Sequence, residues 1–278
     1  MLRNTFCHIN GVGQKTESRL WKAGICTWPD FRHATSYPVS NARAALISSE
    51  IRDSQSALQK KDHTYFSSRL PADQQWRVFG EFSNSTAYID IETTGLCFDS
   101  SLITTVALYD GSEIRYYVNG VNLDQFAEDI ERYDLVVTYN GKTFDIPFIE
   151  RFFGIRLTQA HVDLRYVLKS LGYKGGLKGC EKCFGLHRDD LEGVDGFMAV
   201  LLWHEYQRQG DPRVLETLLA YNIEDVVNLE YLMYAAYNLK LADTPFAGQL
   251  QMAVPERPAV PFVPDPAVLR RIKTKPMF

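Results

Sequence analysis

The stretch Tyr88-Ile-Asp-Ile-Glu-Thr-Thr-Gly-Leu96 predicts the central strand of the fold and places two acidic side chains on it. Residues 86–92 are rich in β-branched and aromatic side chains, they alternate with polar ones, and Gly95 follows, which is typical of a β-strand. Successive side chains of a strand point to opposite faces of the sheet. We therefore expect Asp90 and Glu92 to lie on one face, aimed at the same place.

Two carboxylates at this spacing repel each other when they are buried. Either one of them takes up a proton or a positive charge is held between them. A divalent cation with oxygen ligands would satisfy both carboxylates. The alternative is an edge strand whose acidic face lies in water, and this short pattern alone does not decide between the two.

Length and composition set the broad class of protein. The 278 residues, 45% of them hydrophobic, allow one large domain and a small one. The sequence has no N-terminal apolar run and no stretch of transmembrane length, so we expect a soluble cytoplasmic protein without a membrane partner. Five cysteines in a chain of this length indicate free thiols. A net charge of −4 argues against binding nucleic acid through bulk charge, but it does not exclude local basic patches.

The sequence divides into four predicted segments. They are a small N-terminal helical region (1–35), a helical connector (36–79), the main domain (80–240) and a proline-rich C-terminal tail (241–278). The tail is predicted to be mobile or loosely docked, because proline interrupts regular structure there.

The N-terminal segment resembles a helix-hairpin-helix unit. Gly11 and Gly13 flank Val12 in a tight turn that opens a predicted helix over residues 14–23, with Gly24 ending it. Such a turn offers backbone N–H groups to a nucleic-acid phosphate. Lys15, Arg19 and Lys22 would share one face of that helix. The alternative is an ordinary helical hairpin that docks on the main domain or binds a protein.

The main domain is predicted to contain five strands and several helices. Strands are expected at 86–92, 102–109, 113–118, 135–139 and 161–164, and helices at 123–133, around 148–153, and at 164–171, 177–185, 195–209 and 212–240. Three strands in a meander followed by strand–helix alternation predict an α/β fold, a mixed sheet flanked by helices. This is the order expected of a ribonuclease H-like fold.

Two more acids stand in suggestive places. Asp145 follows the strand 135–139 and enters near the start of the next helix, where its alternative role is only to stabilise that helix start. Tyr221 and Asp225 are four residues apart on the long helix, hence on the same face. Apolar neighbours turn that face inward, and a buried acid is costly unless it is paired or bound to a metal.

In this order and spacing, Asp90-x-Glu92, Asn140-x3-Phe144-Asp145 and Tyr221-x3-Asp225 resemble the three motifs of the DEDD exonucleases, in the subclass marked by tyrosine. Proofreading exonuclease domains of family B DNA polymerases and ribonuclease D belong to that subclass. More specifically, residues 80–240 resemble a prokaryotic group of ribonuclease H-like exonucleases. Three motifs in register are far more specific than any one of them.

The resemblance implies a two-metal mechanism for phosphodiester hydrolysis. Asp90, Glu92, Asp145 and Asp225 would hold two ions, and hard oxygen ligands indicate Mg²⁺ or Mn²⁺. Tyr221 would orient the attacking water, since a phenol is a poor base at its ordinary pKa.

The resemblance also implies substrate contacts. Thr93, Thr94 and Leu96 would meet the terminal nucleotide, and Asn140 and Phe144 would line the groove. Two lysines in a glycine-rich loop could reach the phosphate backbone, their alternative being solvated surface positions: Lys174 and Lys178.

Two residues outside these motifs are candidates to hydrogen-bond and orient the carboxylates without binding the metal themselves. They are His161 and Asp163, and the alternative for His161 is a hydrogen-bonded core residue.

The predicted function is a metal-dependent 3′–5′ exonuclease acting on single-stranded nucleic-acid ends. The hairpin favours DNA as the substrate. The alternatives are a ribonuclease or structure-specific endonuclease with the same site, or a nucleic-acid-binding scaffold whose site is vestigial. The sequence predicts nucleic acid as a partner and leaves protein partners and oligomeric state open.

Overall fold

A computed structural model describes residues 1–188 and 191–274 of the chain. Its strands, numbered along the chain, are β1 Thr86–Thr93, β2 Ile103–Tyr109, β3 Ile114–Val118, β4 Leu135–Thr138 and β5 Ala160–Asp163. They form one sheet in the order β3-β2-β1-β4-β5. β1, β2 and β3 pair antiparallel, whereas β4 is parallel to β1 and to β5. The prediction of a mixed sheet is confirmed.

The helices of the described residues are α1 Gln14–Lys22, α2 Trp28–His33, α3 Asn41–Gln59, α4 His63–Ser67, α5 Phe79–Phe82, α6 Phe126–Asp129, α7 Asp145–Phe153, α8 Leu164–Ser170, α9 Gly176–Cys183, α10 Gly196–Gln209, α11 Pro212–Ala242, α12 Ala247–Leu250 and α13 Pro266–Lys273. Short 3-10 helices cover Leu2–Asn4, Ala72–Val78, Ser83–Ser85, Leu123–Gln125 and Ile130–Arg132. The helix predicted over 123–133 is thus broken into three short turns. In the described residues, no helix is both long and apolar enough to cross a membrane.

The sheet separates two apolar cores, and the alternation along β1 assigns its side chains to them. Ile89 and Ile91 belong to the smaller core, which α6 and α7 complete. Tyr88 belongs to the larger core, where α8, α10 and α11 pack and where the N-terminal helices join. α11 crosses β1 and β2 on this side. Asp90 and Glu92 share the face of Tyr88 and therefore point toward α11.

The N-terminal region is joined to the rest through a buried ion pair. Arg77 Nη2 lies 2.8 Å from Glu17 Oε2, and both side chains are almost completely buried. The helix α1 begins at Gln14, after the left-handed Gly11, much as predicted. The helix before the turn is only the 3-10 segment Leu2–Asn4, so the helix-hairpin-helix interpretation stays a prediction.

The C-terminal segment contains a docked helix that the sequence analysis did not predict. Val268, Leu269 and Ile272 of α13 are buried, and the helix packs on α10 and α11. Asp265 caps it by accepting hydrogen bonds from the N–H groups of Ala267 (2.7 Å) and Val268 (3.1 Å). The many prolines obscured this short amphipathic pattern.

Candidate active site

Three of the four predicted acids meet between the sheet and the long helix. One carboxylate oxygen from each of Asp90, Glu92 and Asp225 lies within 4.8 Å of the others. β1 supplies the first two side chains and α11 supplies the third. Glu92 and Asp225 are buried, whereas Asp90 is half-buried. We call these three residues the acid cluster.

Asp145 lies beside the acid cluster. It is the first residue of α7, it is buried, and its Oδ1 accepts a hydrogen bond of 3.2 Å from the backbone N–H of Ile91. Its charge nevertheless acts on Asp90 and Glu92, since it helps to raise the pKa of each. The fourth predicted acid is therefore tied to the backbone of β1 at Ile91, the residue between Asp90 and Glu92.

Burial and mutual repulsion dominate the electrostatics of these carboxyl groups. Burial, then the charges of Asp225 and Asp145, raise the pKa of Asp90 and of Glu92 well above the usual range. Burial raises the pKa of Asp145 to about 7. Burial also raises the pKa of Asp225 to about 6, with Arg188 acting in the opposite direction. Like charges held this close without enough compensation create a strong demand for a cation or for protons.

Asn222 fixes the position of Asp90, and the sequence analysis missed it. Its Nδ2 donates to Asp90 Oδ2 at 2.7 Å, and its Oδ1 accepts from Thr105 Oγ1 at 2.9 Å. The side chain is fully buried and links α11 to β1 and β2. An amide in the middle of an apolar helix, next to Tyr221, was the available signal, because a buried amide needs partners.

Tyr221 lies one turn before Asp225 and lines the same cleft. Burial and the charges of Asp225, Glu92 and Asp90 raise its pKa well above the ordinary range. The phenol therefore keeps its proton and is a hydrogen-bond donor at neutral pH. Lys178 Nζ lies 5.0 Å from the centroid of its ring, and the Arg188 guanidinium lies 5.7 Å from it.

Arg188 is a second functional candidate that the sequence analysis missed. Its Nη2 forms an ion pair with Asp225 Oδ1 and also contacts Glu181 Oε1 at 2.5 Å. Asn228 Nδ2 donates to the same Glu181 oxygen at 2.9 Å. Arg188 comes from the segment between α9 and α10, where no periodic pattern indicated burial.

The acid cluster lies in a cleft of about 900 Å³. All five residues predicted from the resemblance to contact substrate on the strand and loop side line it: Thr93, Thr94, Leu96, Asn140 and Phe144. Basic and aromatic side chains also line the cleft: Arg165, Lys169, Tyr173, Lys174 and Phe197. Arg165 among them donates a hydrogen bond to Asn140 Oδ1. Leu96 and Phe197 remain 81% and 51% exposed, respectively. Large apolar side chains exposed in a cleft are typical of a ligand-binding surface.

Lys178 points away from this cleft. Its Nζ donates to the backbone carbonyl of Val194, and burial lowers its pKa despite the pull of Asp225. The structure places its ammonium behind Tyr221, where it acts on Glu92 and Asp225 by charge. A direct contact between Lys178 and substrate stays a prediction.

Asp163 and His161 organise the loop that carries Asn140. The Asp163 carboxylate accepts hydrogen bonds from the N–H groups of Asn140 (2.8 Å), Lys142 (3.1 Å) and Arg165 (3.0 Å). His161 Nε2 lies 2.8 Å from Thr138 Oγ1, and that hydroxyl accepts from the N–H of Gly141. Both residues therefore shape the loop at the edge of the cleft, and Asp163 also raises the pKa of Asp145 by its charge.

The donor set of the acid cluster fits a hard divalent cation. Three carboxylate oxygens from separate residues converge, and carboxylate oxygen is the ligand that Mg²⁺ and Mn²⁺ prefer. A bound cation would also relieve the repulsion that raises the pKa of Asp90 and Glu92.

Comparison with known proteins places the chain in a broad family. The family model described as RNase_H superfamily matches residues 87–237, more than half of the chain. No curated protein sequence matches it. Among solved structures, the family B DNA polymerase from the hyperthermophilic archaeon Pyrobaculum calidifontis is similar, with a TM-score of 0.43 and 17% identity. That match covers 56% of this chain and 24% of the polymerase chain.

Proposed function

The chain belongs to the RNase H superfamily, and we propose that it is a metal-dependent 3′–5′ exonuclease that hydrolyses phosphodiester bonds at single-stranded nucleic-acid ends. The observation that carries the proposal is the convergence of Asp90, Glu92 and Asp225 at a cleft wide enough for a nucleotide. Buried carboxylates that repel one another are costly to a fold, so their presence at an open cleft argues for a functional reason.

The acid cluster, with Asp145 beside it, would hold two Mg²⁺ or Mn²⁺ ions. Two such ions supply a water that is nucleophilic near neutral pH and stabilise the leaving alkoxide. Asn222 keeps Asp90 turned toward the cleft through its 2.7 Å hydrogen bond. The protonated Tyr221 phenol donates a hydrogen bond at the rim and orients the attacking water.

The lining of the cleft favours an unpaired strand. Leu96 and Phe197 offer exposed apolar surface that bases can stack on, and base faces are available only when the strand is not paired. Arg165 and Lys169 lie four residues apart on α8, hence on one face, and both line the cleft with Lys174. Such cations bind phosphates without reading sequence.

The N-terminal hairpin offers a second contact for the phosphate backbone, and its resemblance to a helix-hairpin-helix unit is our reason for proposing DNA as the favoured substrate. Gly11 has a left-handed φ of +75°, and Lys15 and Lys22 of α1 are exposed. The Arg43 guanidinium lies 3.5 Å from where a Cβ on Gly11 would stand, which adds positive charge beside the turn. A phosphate bound at this turn would give the protein a second binding site for a long strand, outside the cleft.

The decisive experiment compares wild-type protein with Asp90→Asn on 5′-labelled single-stranded DNA and RNA with Mn²⁺. The wild type should give a ladder of products, and the variant should lose at least about 10³-fold in rate because it removes a cation ligand. Strand binding measured without metal should be equal to the wild-type value or slightly tighter, since Asp90 repels phosphate rather than binding it.

Other outcomes would change the assignment. A single internal cut would indicate an endonuclease, and cleavage of RNA alone would indicate a ribonuclease. Equal inactivity of the wild type and Asp90→Asn across Mg²⁺, Mn²⁺ and all substrates would contradict the nuclease and favour a binding scaffold.

A further inference from the structure

Arg188 lies behind the acid cluster, on the side away from the cleft. Its side chain is only 6% exposed and lines a separate cavity of about 450 Å³ with Lys178, Glu181 and Asp195. Tyr221 and Asp225 line the cleft, whereas Arg188 is not among the described residues that do so. A substrate in the cleft would therefore meet Tyr221 and Asp225 before it met the guanidinium.

Three hydrogen bonds hold the guanidinium and its partner in this place. Nε donates to Glu181 Oε2 at 2.7 Å, and Nη2 donates to Glu181 Oε1 at 2.5 Å, a bidentate pair. Glu181 is 1% exposed and receives a further hydrogen bond of 2.9 Å from Asn228. Because Asn228 lies three residues after Asp225 on α11, the same helix anchors both ends of this network.

This arrangement keeps a permanent positive charge against Asp225. A guanidinium stays protonated at any physiological pH, and leaving the site would abandon Glu181 as a buried unpaired charge. We therefore expect Arg188 to keep its contact with Asp225 Oδ1 when a divalent cation binds. A cation bound by Asp225 has to share that carboxylate with Arg188 and is repelled by its charge.

We propose that Arg188 is a positioning residue that serves as the built-in counter-ion of Asp225. It holds the carboxylate in the acid cluster without a metal ion and, in exchange, lowers the affinity of the cluster for divalent cations. The proposal rests on the proposed metal-dependent function. The consequence is a site that stays assembled between catalytic cycles and binds cations only moderately until an anionic substrate adds its own charge.

The test removes the counter-ion without leaving its partner unpaired. The double variant Glu181→Gln/Arg188→Met replaces the buried pair by neutral side chains of similar size, and the introduced amide retains an oxygen for Asn228. The matched control is Glu17→Gln/Arg77→Met, which neutralises the buried pair of the N-terminal region. Each protein is titrated with Mn²⁺ by calorimetry, and its melting temperature is measured in EDTA and in Mn²⁺.

We expect the site variant to bind Mn²⁺ about tenfold more tightly than the wild type. The repulsion lost with Arg188, which contacts Asp225, outweighs the attraction lost with Glu181, whose charge acts on Asp225 less strongly. Its melting temperature should also rise more on adding Mn²⁺ than that of the wild type. The control pair should lower the melting temperature in EDTA and leave the Mn²⁺ affinity within about twofold of the wild-type value.

Two results would overturn the proposal, and they are distinguishable. In the first, the wild type binds Mn²⁺ and the site variant binds it with equal or lower affinity. Arg188 then does not oppose cation binding, although the metal site itself is supported. No Mn²⁺ uptake by the wild type or by the variant would remove the metal site and the counter-ion role together.

Discussion

Tyr221 and the acid cluster illustrate how single residues set the chemistry. Burial and three carboxylates raise the pKa of the Tyr221 phenol well above its ordinary range, so the group donates a hydrogen bond and does not serve as a base. The same surroundings raise the pKa of Asp90 and Glu92. The Tyr221 phenol is thus kept protonated, and a divalent cation bound by Asp90 and Glu92 would displace the protons that these carboxyl groups hold.

Replacing Tyr221 by Phe tests the orienting role. The ring and its packing remain, so the free energy of unfolding should change by no more than about 1 kcal/mol. The rate of cleavage should fall by about 10²-fold, since a positioned hydrogen bond to the attacking water is lost. Single-turnover kinetics with Mn²⁺ measure this, and a calorimetric titration should give an unchanged Mn²⁺ affinity. A cleavage rate equal to wild type would contradict the assignment.

At the scale of secondary-structure elements, Asp163 connects a strand, a helix and a loop. The residue is the last of β5, and its carboxylate caps α8 and accepts hydrogen bonds from two N–H groups of the loop after β4. One buried side chain therefore holds three segments together. Asn140 in that loop has a left-handed φ of +68°, which an asparagine adopts at modest cost when its backbone is held. Asp163 thus helps to hold the loop in the position where it lines the cleft, together with the His161–Thr138–Gly141 contacts.

Asp163→Ala should therefore separate substrate binding from metal binding. We expect a loss of about 2–4 kcal/mol in the free energy of unfolding, because the N–H groups of Asn140, Lys142 and Arg165 lose a shared charged acceptor. Affinity for single-stranded DNA should drop several-fold, while Mn²⁺ affinity stays within about twofold, since the acid cluster is on other elements. Chemical denaturation, fluorescence anisotropy and calorimetry give the three readouts.

The control for that variant is Asp62→Ala. Asp62 caps α4 on the surface by accepting from the N–H of Tyr65 at 3.0 Å. Its loss should cost about 1 kcal/mol and leave both affinities unchanged. Equal effects of the two variants on DNA binding would contradict a specific role for Asp163.

At the scale of the whole molecule, two layers of helices enclose a sheet whose centre carries buried acids. In the folded protein the raised pKa of Asp145, about 7, and of Asp225, about 6, means that these groups hold protons that the unfolded chain has already released. Their contribution to stability is therefore present at low pH and is lost as the pH rises through those values. A divalent cation bound as we propose would compensate for the protons that are lost.

The stabilisation by Mn²⁺ should consequently grow with pH. We expect the rise in melting temperature on adding Mn²⁺ to be clearly larger at about pH 8 than at about pH 5.5, because protons compete for the carboxylates at the lower pH. The melting temperature is compared with and without Mn²⁺ at the same pH, so that the effect of titrating groups far from the site cancels. Asp225→Asn should flatten this dependence, and a rise independent of pH in the wild type would contradict the coupling.

Much of the fold, and the placement of Asp90, Glu92, Tyr221 and Asp225 on their elements, follow from local patterns in the sequence. The alternation of residues 86–92 predicts that Asp90 and Glu92 share a face, and the spacing of four predicts the same for Tyr221 and Asp225; the strand and helix that carry them are found with nearly the predicted bounds. The helix α13 was missed because its apolar pattern is short and lies among prolines. Periodicity is decided by neighbours in sequence and can be read without knowing the rest of the chain.

Only the tertiary structure decides which distant groups come together and how their charges balance. Asn222 meets Asp90 across 132 positions of sequence, Arg188 reaches Asp225 from a loop without pattern, and Asp145 is tied to the backbone of Ile91 beside the cluster. Lys178, predicted to contact substrate, has its ammonium behind Tyr221. These contacts depend on how α7, α10 and α11 pack on the sheet and how α9 packs on α8. Packing sums many weak contacts between residues that are distant in sequence, and these leave no local signal.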